Sequence, residues 1–314
     1  MTQVELRSKF IGSLIGTGVA DALGAGFEGR SAVDEAGVRA LAERHDVLVY
    51  TDDTHMMIGV AESLIERKGF DGAHMAHRFM ENYGREPYRG YGPGPPRIFS
   101  MIKAGEAWDR AAARLYGGGS FGNGSAMRVA PVGLLHYDDA AGLRDIACRS
   151  SEITHAHELG KEGAALQAYA VALATAADPP AGIQVESFLL RLLDFCQHQT
   201  YKQRVETIRE LLGEADKSRV ISKLGHGIEA FNSVPTAIYS FLSFPDSFAD
   251  AVVYAISLGG DTDTIGAMTG AISGAYLGIE AVPPEWKHKL ENREYIAGLA
   301  ESLWEIRSAW QHAG

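Results

Sequence analysis

Apolar residues recur at helical spacing along almost the whole chain. Phe10 to Ala22 is apolar, and Gly12, Gly16 and Gly18 within it allow close packing on a neighbour. Gly24 and Gly26 end that run and leave Glu28 in a loop. Asp34 to His45 predicts a short amphipathic helix, and Val47 to Tyr50 a brief extended run. Met56 to Lys68 predicts a helix that stops at Gly69, a C′ position, and Asp71 caps a further helix to about Tyr83. Pro87 to Pro96, rich in Gly, Pro and Tyr, predicts a loop before a helix over Arg97 to Trp108.

No regular element tolerates the glycine density of Gly117 to Gly124. Helices are predicted over Ser125 to Leu135, Asp138 to Thr154 and Glu158 to Ala177, where Asp178-Pro179-Pro180 breaks the pattern. Further helices are predicted over Val185 to Gln197, Tyr201 to Leu212, Asp216 to Ala230, Pro235 to Leu242, and from Pro245 to about Leu258. An apolar run over Ile265 to Leu277 follows. Pro283-Pro284 then separates it from an amphipathic C-terminal helix near Glu291 to Trp310. Strands do not alternate with helices, no repeat of fixed period stands out, and no linker divides the chain. The pattern therefore predicts one all-α domain over residues 1–314.

Composition narrows the function. A hydrophobic content of 46% suits a globular protein with a sizeable core. A net charge of −11 argues against a phosphate-tracking nucleic-acid binder or an anionic membrane surface as partner. The 2 cysteines make neither a disulfide framework nor a cysteine-type zinc site. The N-terminal residues have no apolar signal region. The longest apolar run, Tyr169 to Ala177, is far short of the roughly 20 residues that cross a membrane. A cytoplasmic monomer is expected.

Two oxygen-rich stretches stand out: Tyr50-Thr51-Asp52-Asp53-Thr54 and Gly259-Gly260-Asp261-Thr262-Asp263-Thr264. Each precedes an apolar helical run, where unpaired N–H groups favour negative charge. Helix capping explains one oxygen at each place. It does not explain carboxylates crowded together, which repel unless a cation intervenes. Hard cations take carboxylate and hydroxyl oxygens, and four carboxylates serve two ions about 3.5–4 Å apart. Residues two apart lie about 200° apart on a helix, so Asp261 and Asp263 converge only where the backbone is not yet helical. Gly259 and Gly260 permit that turn.

The glycine run is either a linker or an anion-binding loop, because no Walker lysine ends it and no strand precedes it. His155 and His157 do not share a helix face, and His74, His77, His157 and His226 read as ordinary polar residues. Tyr88, Tyr91, Tyr116 and Phe121 lie on glycine-rich loops and are natural stacking surfaces for a base.

Taken together, Thr51-Asp52-Asp53-Thr54, Gly122-Asn123-Gly124-Ser125-Ala126-Met127-Arg128 and Gly259-Gly260-Asp261-Thr262-Asp263-Thr264-Ile265 resemble the three motifs of the ADP-ribosylglycohydrolases. Asp21-Ala22-Leu23-Gly24 through Phe27-Glu28 is similar to that family's first helix and its glutamate. Met75-Ala76-His77-Arg78-Phe79, Arg89-Gly90-Tyr91-Gly92, Thr154-His155-Ala156 and Ser233 to Tyr239 resemble the type 3 ADP-ribosyl-acceptor hydrolases in particular.

The resemblance implies an all-α fold with a site for two Mg²⁺ or Mn²⁺ ions. It implies Thr51, Asp52, Asp53, Asp261, Asp263 and Thr264 as ligands and Glu28 as a mobile glutamate beside them. Gly119, Ser120, Phe121 and Gly122 would form the diphosphate and adenine loop, His155 would contact ADP-ribose, Ile228 would line the adenine side, and Gly90 would join the substrate site. Phe121 stands where type 3 proteins have Tyr, which keeps stacking and removes a hydroxyl.

The implied partners are ADP-ribose, ADP-ribosylated proteins and poly-ADP-ribose. The implied reaction is hydrolysis of the ribosyl C1″ bond, with Glu28 or Asp261 moving the proton. The alternatives are an arginine-directed hydrolase, a non-catalytic ADP-ribose binder or structural protein, and a two-metal phosphoesterase that releases AMP.

Overall fold

The structure, a computed structural model, describes residues 2–313. In chain order the helices are α1 (Gln3–Ala25), α2 (Glu35–Arg44), α3 (Asp52–Arg67), α4 (Gly72–Arg85), α5 (Gly94–Lys103) and α6 (Ala111–Tyr116). Next come α7 (Ala130–Leu135), α8 (Ala140–Glu152), α9 (Glu158–Ala176), α10 (Val185–Phe195), α11 (Gln199–Leu211) and α12 (Lys217–Leu224). The chain closes with α13 (Ala230–Ser243), α14 (Phe248–Ser257), α15 (Thr262–Leu277), α16 (Pro284–Lys289) and α17 (Arg293–Ala313). Among the described residues, extended pairing is limited to two isolated bridges. The fold is all-α, as the hydrophobic pattern predicts.

Two helices form the axis. α1 and α15 are apolar on nearly every face and buried along most of their length, the signature of central helices. They run antiparallel with their backbones in contact. A Cβ on Gly12 would lie 2.5 Å from the Gly274 carbonyl oxygen, and one on Gly16 would lie 2.6 Å from that of Gly270. Gly24 meets Thr262 and Asp263 in the same way. This pairing sets the end of α1 against the start of α15. α3, α9, α13, α14 and α17 pack around the pair.

Several boundaries differ from the predicted ones: the helix predicted over Arg97 to Trp108 ends at Lys103, the short α6 stands where none was predicted, and the helix predicted from Pro245 starts at Phe248, with Ser247 as its N-cap. α5 starts at Gly94, inside the stretch predicted as loop, because Pro95 and Pro96 occupy its first turn, where an N–H has no helical partner. The helix predicted from Ser125 starts at Ala130, after a single 3₁₀ turn over Asn123–Ser125. The helix predicted over Asp216 to Ala230 ends at Leu224, where Gly225 has φ +81°, and α13 then runs through Pro235. Burial of α13 overrides the missing hydrogen bond at that proline. Pro283-Pro284 opens the short α16, which the pattern did not separate from loop.

Candidate active site

The antiparallel pair brings the two oxygen-rich stretches together. Asp21, near the end of α1, is fully buried. Its carboxylate accepts from the backbone N–H of Thr51 and Thr54 and from both threonine hydroxyls. That clamp fixes the start of α3, with Thr51 as N-cap and Asp52 and Asp53 in the first turn. Tyr50, just before it, is held from the other side. Its N–H donates to Glu291 at 2.9 Å, and its carbonyl accepts from Arg89 at 3.1 Å. Arg89 in turn pairs with Glu291.

The second stretch arrives through Gly259 and Gly260, which have φ +74° and +76°. Backbone crowds both residues, so neither tolerates a side chain: a Cβ on Gly259 would lie 2.5 Å from the Arg30 carbonyl oxygen. Gly260 exchanges two backbone hydrogen bonds, both 2.8 Å, with Gly29 and Arg30. Those bonds tie the turn that carries Glu28 to the turn that carries Asp261. Asp261 sits before the first turn of α15 with φ −87° and ψ 70°, and Asp263 lies within that turn. Glu28, Asp261 and Asp263 each place a carboxylate oxygen within 4.8 Å of the others. Asp261 also accepts from the Asn123 amide at 2.6 Å.

Among the described residues, these carboxylates meet no cationic side chain that neutralises them. Burial and mutual repulsion therefore push their proton affinities up. Asp21 is raised to about 7, mainly by burial and then by Asp263. Asp52 is raised to about 8 by burial and then by Asp21 and Asp263. Asp263 rises to about 7 through burial and Asp261. Asp53 goes well up for the same reasons, and burial raises Asp261. Glu28 is exposed, and its rise comes first from the Asp263 charge. One oxygen of Asp53, Oδ1, is buried with no hydrogen-bond partner. An orphaned carboxylate oxygen among raised carboxylates is a donor set for hard divalent cations.

The glycine loop forms the opposite wall. Phe121 to Asn123 pairs with Ile228 to Ala230 through Asn123 N–H to the Ile228 carbonyl (2.9 Å) and Ala230 N–H to the Phe121 carbonyl (3.0 Å). Gly119 and Gly160 bring this loop against the start of α9. The Phe121 ring is half-exposed and stands edge-on to His157, 5.6 Å between centroids. Ile228 is exposed across from it. His155 lies behind the loop, its ring against Gly122 and Gly124.

One cleft of about 700 Å³ joins the two walls. It is lined by Glu28, Thr51, Asp52, Asp53, Asp261, Asp263 and Thr264 at one pole. Gly119, Ser120, Phe121, Gly122, His155 and Ile228 line the other, and Gly90 lies beside Asp52. Of the loop aromatics, Tyr116 and Phe121 line the cleft. Tyr91 does not: it turns inward to bond His55 at 2.9 Å and packs edge-on to Tyr83. Tyr88 is exposed outside the cleft.

The roles of Asp21 and Asn123 escape the sequence, although both lie within motifs that carry the resemblance. The signal that finds Asp21 is a carboxylate on an otherwise apolar helix.

A family model described as ADP-ribosylglycohydrolase matches residues 2–313. The chain belongs to the ADP-ribosylglycohydrolase family. Membership makes it a hydrolase. Among its relatives, the ADP-ribosylhydrolase ARH3 of Homo sapiens is 38% identical, covering 94% of this chain and 93% of the relative. The ARH3 of Gallus gallus is 37% identical over 95% of this chain and 93% of that protein. The uncharacterized protein YegU of Escherichia coli is 32% identical over 77% of this chain and 75% of its own. A solved structure titled "ADP-ribosylglycohydrolase-related protein complex" superposes with a TM-score of 0.76 at 27% identity, covering 96% of this chain and 99% of that one.

Proposed function

We propose that this cleft hydrolyses the ribosyl C1″ bond of ADP-ribosylated substrates and releases ADP-ribose. The substrate class is serine-linked or O-acetyl-linked ADP-ribose and poly-ADP-ribose. The observation that carries this reading is the joining, in one cleft of about 700 Å³, of an unneutralised carboxylate pole to a glycine-loop and aromatic pole. That volume suits a ligand of nucleotide size. Thr51, Asp52, Asp53, Asp261, Asp263 and Thr264 would hold two divalent ions, Mg²⁺ or Mn²⁺. Such ions supply positive charge where the bond breaks and acidify nearby water.

The chain's own groups do the rest. Phe121 stacks on the adenine ring, with Ile228 across from it, and Gly119, Ser120 and Gly122 cradle the diphosphate. His155 donates to the ligand from behind the loop. Asp21 keeps Thr51 and Thr54 in place and does not line the cleft. The C1″–O bond breaks with oxocarbenium character, the leaving oxygen takes a proton from a carboxyl group, and water adds to C1″ and returns its proton to that carboxylate. Glu28 stands at the cleft surface next to Asp261 and Asp263, with its proton affinity raised by Asp263. It is the group placed to hold and deliver that proton, with Asp261 the alternative.

The acceptor is tested by offering serine-linked, arginine-linked and poly-ADP-ribose substrates in parallel with Mg²⁺. Release of ADP-ribose from the serine-linked or polymeric substrate, with the arginine-linked one untouched, is expected. Release from the arginine linkage alone would place the enzyme in the arginine-directed branch.

A further inference from the structure

Arg128 is almost entirely buried and, among the described residues, forms no ion pair. Its guanidinium instead donates to the Gly124 carbonyl (3.3 Å), the Ser150 carbonyl (3.0 Å) and the Thr154 hydroxyl (2.8 Å). The same hydroxyl lies 2.8 Å from His155 Nδ1. Thr154 is as buried as Arg128.

A guanidinium has no acceptor, so Thr154 Oγ1 must accept from Arg128. The single hydroxyl hydrogen of Thr154 then needs an acceptor of its own. Among the described residues, His155 Nδ1 is the one within reach. If Nδ1 carried the proton instead, both nitrogen donors would point at one oxygen. The hydroxyl hydrogen would be buried without a partner. A doubly protonated ring is disfavoured as well: burial first, and then the Arg128 charge, pull the ring down to about 3.

We propose that Arg128 and Thr154 act as positioning residues that lock His155 in its neutral Nε2–H tautomer, so that the ring offers the cleft a fixed hydrogen-bond donor. The free edge of the ring faces the glycine loop. A Cβ on Gly124 would lie 3.0 Å from Nε2 and one on Gly122 would lie 3.4 Å from it. Both of these residues and His155 line the cleft, and Nε2 has no hydrogen-bond partner among the described residues. The backbone is pinned too. His155 N–H donates to the Ser151 carbonyl at 2.7 Å, and the Ser151 hydroxyl donates to the His155 carbonyl at 2.8 Å.

Two consequences follow for the site. A ring that can only donate takes a phosphate oxygen or the oxygen of a ribose hydroxyl. It is neither a general base nor a metal ligand, because its one lone pair is spent on Thr154. Its charge does not change between pH 5 and 8, so it adds no pH dependence to ligand affinity over that range.

This inference rests on the reading of the cleft as an ADP-ribose site, but its test reads the ring without any ligand. Protein labelled with ¹⁵N-histidine would be studied by NMR from pH 5 to 8, as wild type, Thr154→Val and Thr154→Ser. ADP-ribose affinity would be measured on each by calorimetry with Mg²⁺ present. The wild type is expected to show a protonated Nε2, an unprotonated Nδ1 and no titration. Thr154→Val should give a mixture of tautomers and weaken ADP-ribose binding by roughly tenfold, the scale of one hydrogen bond. Thr154→Ser should restore both, which a loss of packing alone would not reproduce.

A protonated Nδ1 in the wild type would overturn the relay. So would a ring that titrates in this range, or a valine variant with the tautomer and affinity unchanged. A wild-type ring locked as expected in a protein that binds no ADP-ribose would support the relay and overturn the cleft reading instead.

Discussion

The two poles of the cleft are built on opposite electrostatic plans. At the acidic pole, Asp52, Asp53, Asp261 and Asp263 stand at the starts of α3 and α15 with no neutralising cationic side chain among the described residues, and their proton affinities rise. At the loop pole, the one buried titratable ring, His155, is held neutral by burial and by Arg128. At the first pole the carboxylates repel one another unless they are protonated or met by a cation. The second is complete without a ligand, since backbone pairing to Ile228–Ala230 and the packing of Gly119 and Gly160 already fix the loop. On the proposed function the difference separates two jobs: charge-dependent chemistry at one end, and recognition by shape and hydrogen bonding at the other.

The largest expected effect breaks the acidic pole. Asp261→Asn removes a carboxylate but keeps a partner for Asn123, so the fold should survive. Metal affinity should fall with it, and turnover should drop by roughly 10²–10³-fold, as when an electrostatic stabiliser is lost. Full metal occupancy in that variant, measured by elemental analysis after dialysis, would contradict the ligand assignment.

Glu28→Gln sharpens the division within that pole. The side chain is exposed, and the change keeps its size. Metal binding should persist while turnover drops by roughly 10²-fold. Unchanged kcat would remove Glu28 from the proton transfer.

Metal removal separates the poles thermodynamically. The folded-state affinities of Asp21, Asp52 and Asp263 are raised to about 7, 8 and 7 from an ordinary carboxylate value of 3.8. These groups are neutral in both states at low pH. As pH rises, the unfolded chain releases their protons first, and the folded chain must then hold them or accept buried charge. Stability of the metal-free protein should therefore fall as pH rises from about 4 to 8. Saturating Mg²⁺ should raise Tm and flatten that slope. A metal-free Tm that climbs over the same range would reverse the sign and sink the account of the acidic pole.

The smallest effect belongs to the loop pole. Phe121 is half-exposed, so Phe121→Ala should leave Tm nearly unchanged. Loss of ring stacking should weaken ADP-ribose binding by roughly five- to tenfold, with Mg²⁺ binding untouched. Binding as tight as in the wild type would remove the ring from the adenine site.

Much of this is legible in the sequence. Glycines spaced through Phe10 to Ala22 announce a helix that meets a neighbour closely, and Gly274 and Gly270 are that neighbour. The doubled glycine before Asp261 announces a turn that only glycine adopts, and both residues have positive φ. What stayed hidden depends on partners far away in sequence. Asp21 reads as one polar residue on an apolar helix until Thr51 and Thr54 are seen to donate to it. Tyr91 reads as a loop aromatic free to stack, yet His55 draws it inward. Pro235 reads as a helix start, whereas tertiary burial carries α13 straight through it. The donor direction between Thr154 and His155 needs Arg128, 26 residues away from Thr154, to be decided.

The most direct test of the central claim is product analysis of serine-linked ADP-ribose after incubation with the enzyme, once with Mg²⁺ and once with EDTA. Free ADP-ribose formed with Mg²⁺ and abolished by EDTA is the predicted result. Equal release in EDTA, or AMP as the product, would contradict the assignment of the carboxylate pole to metal-dependent cleavage at C1″.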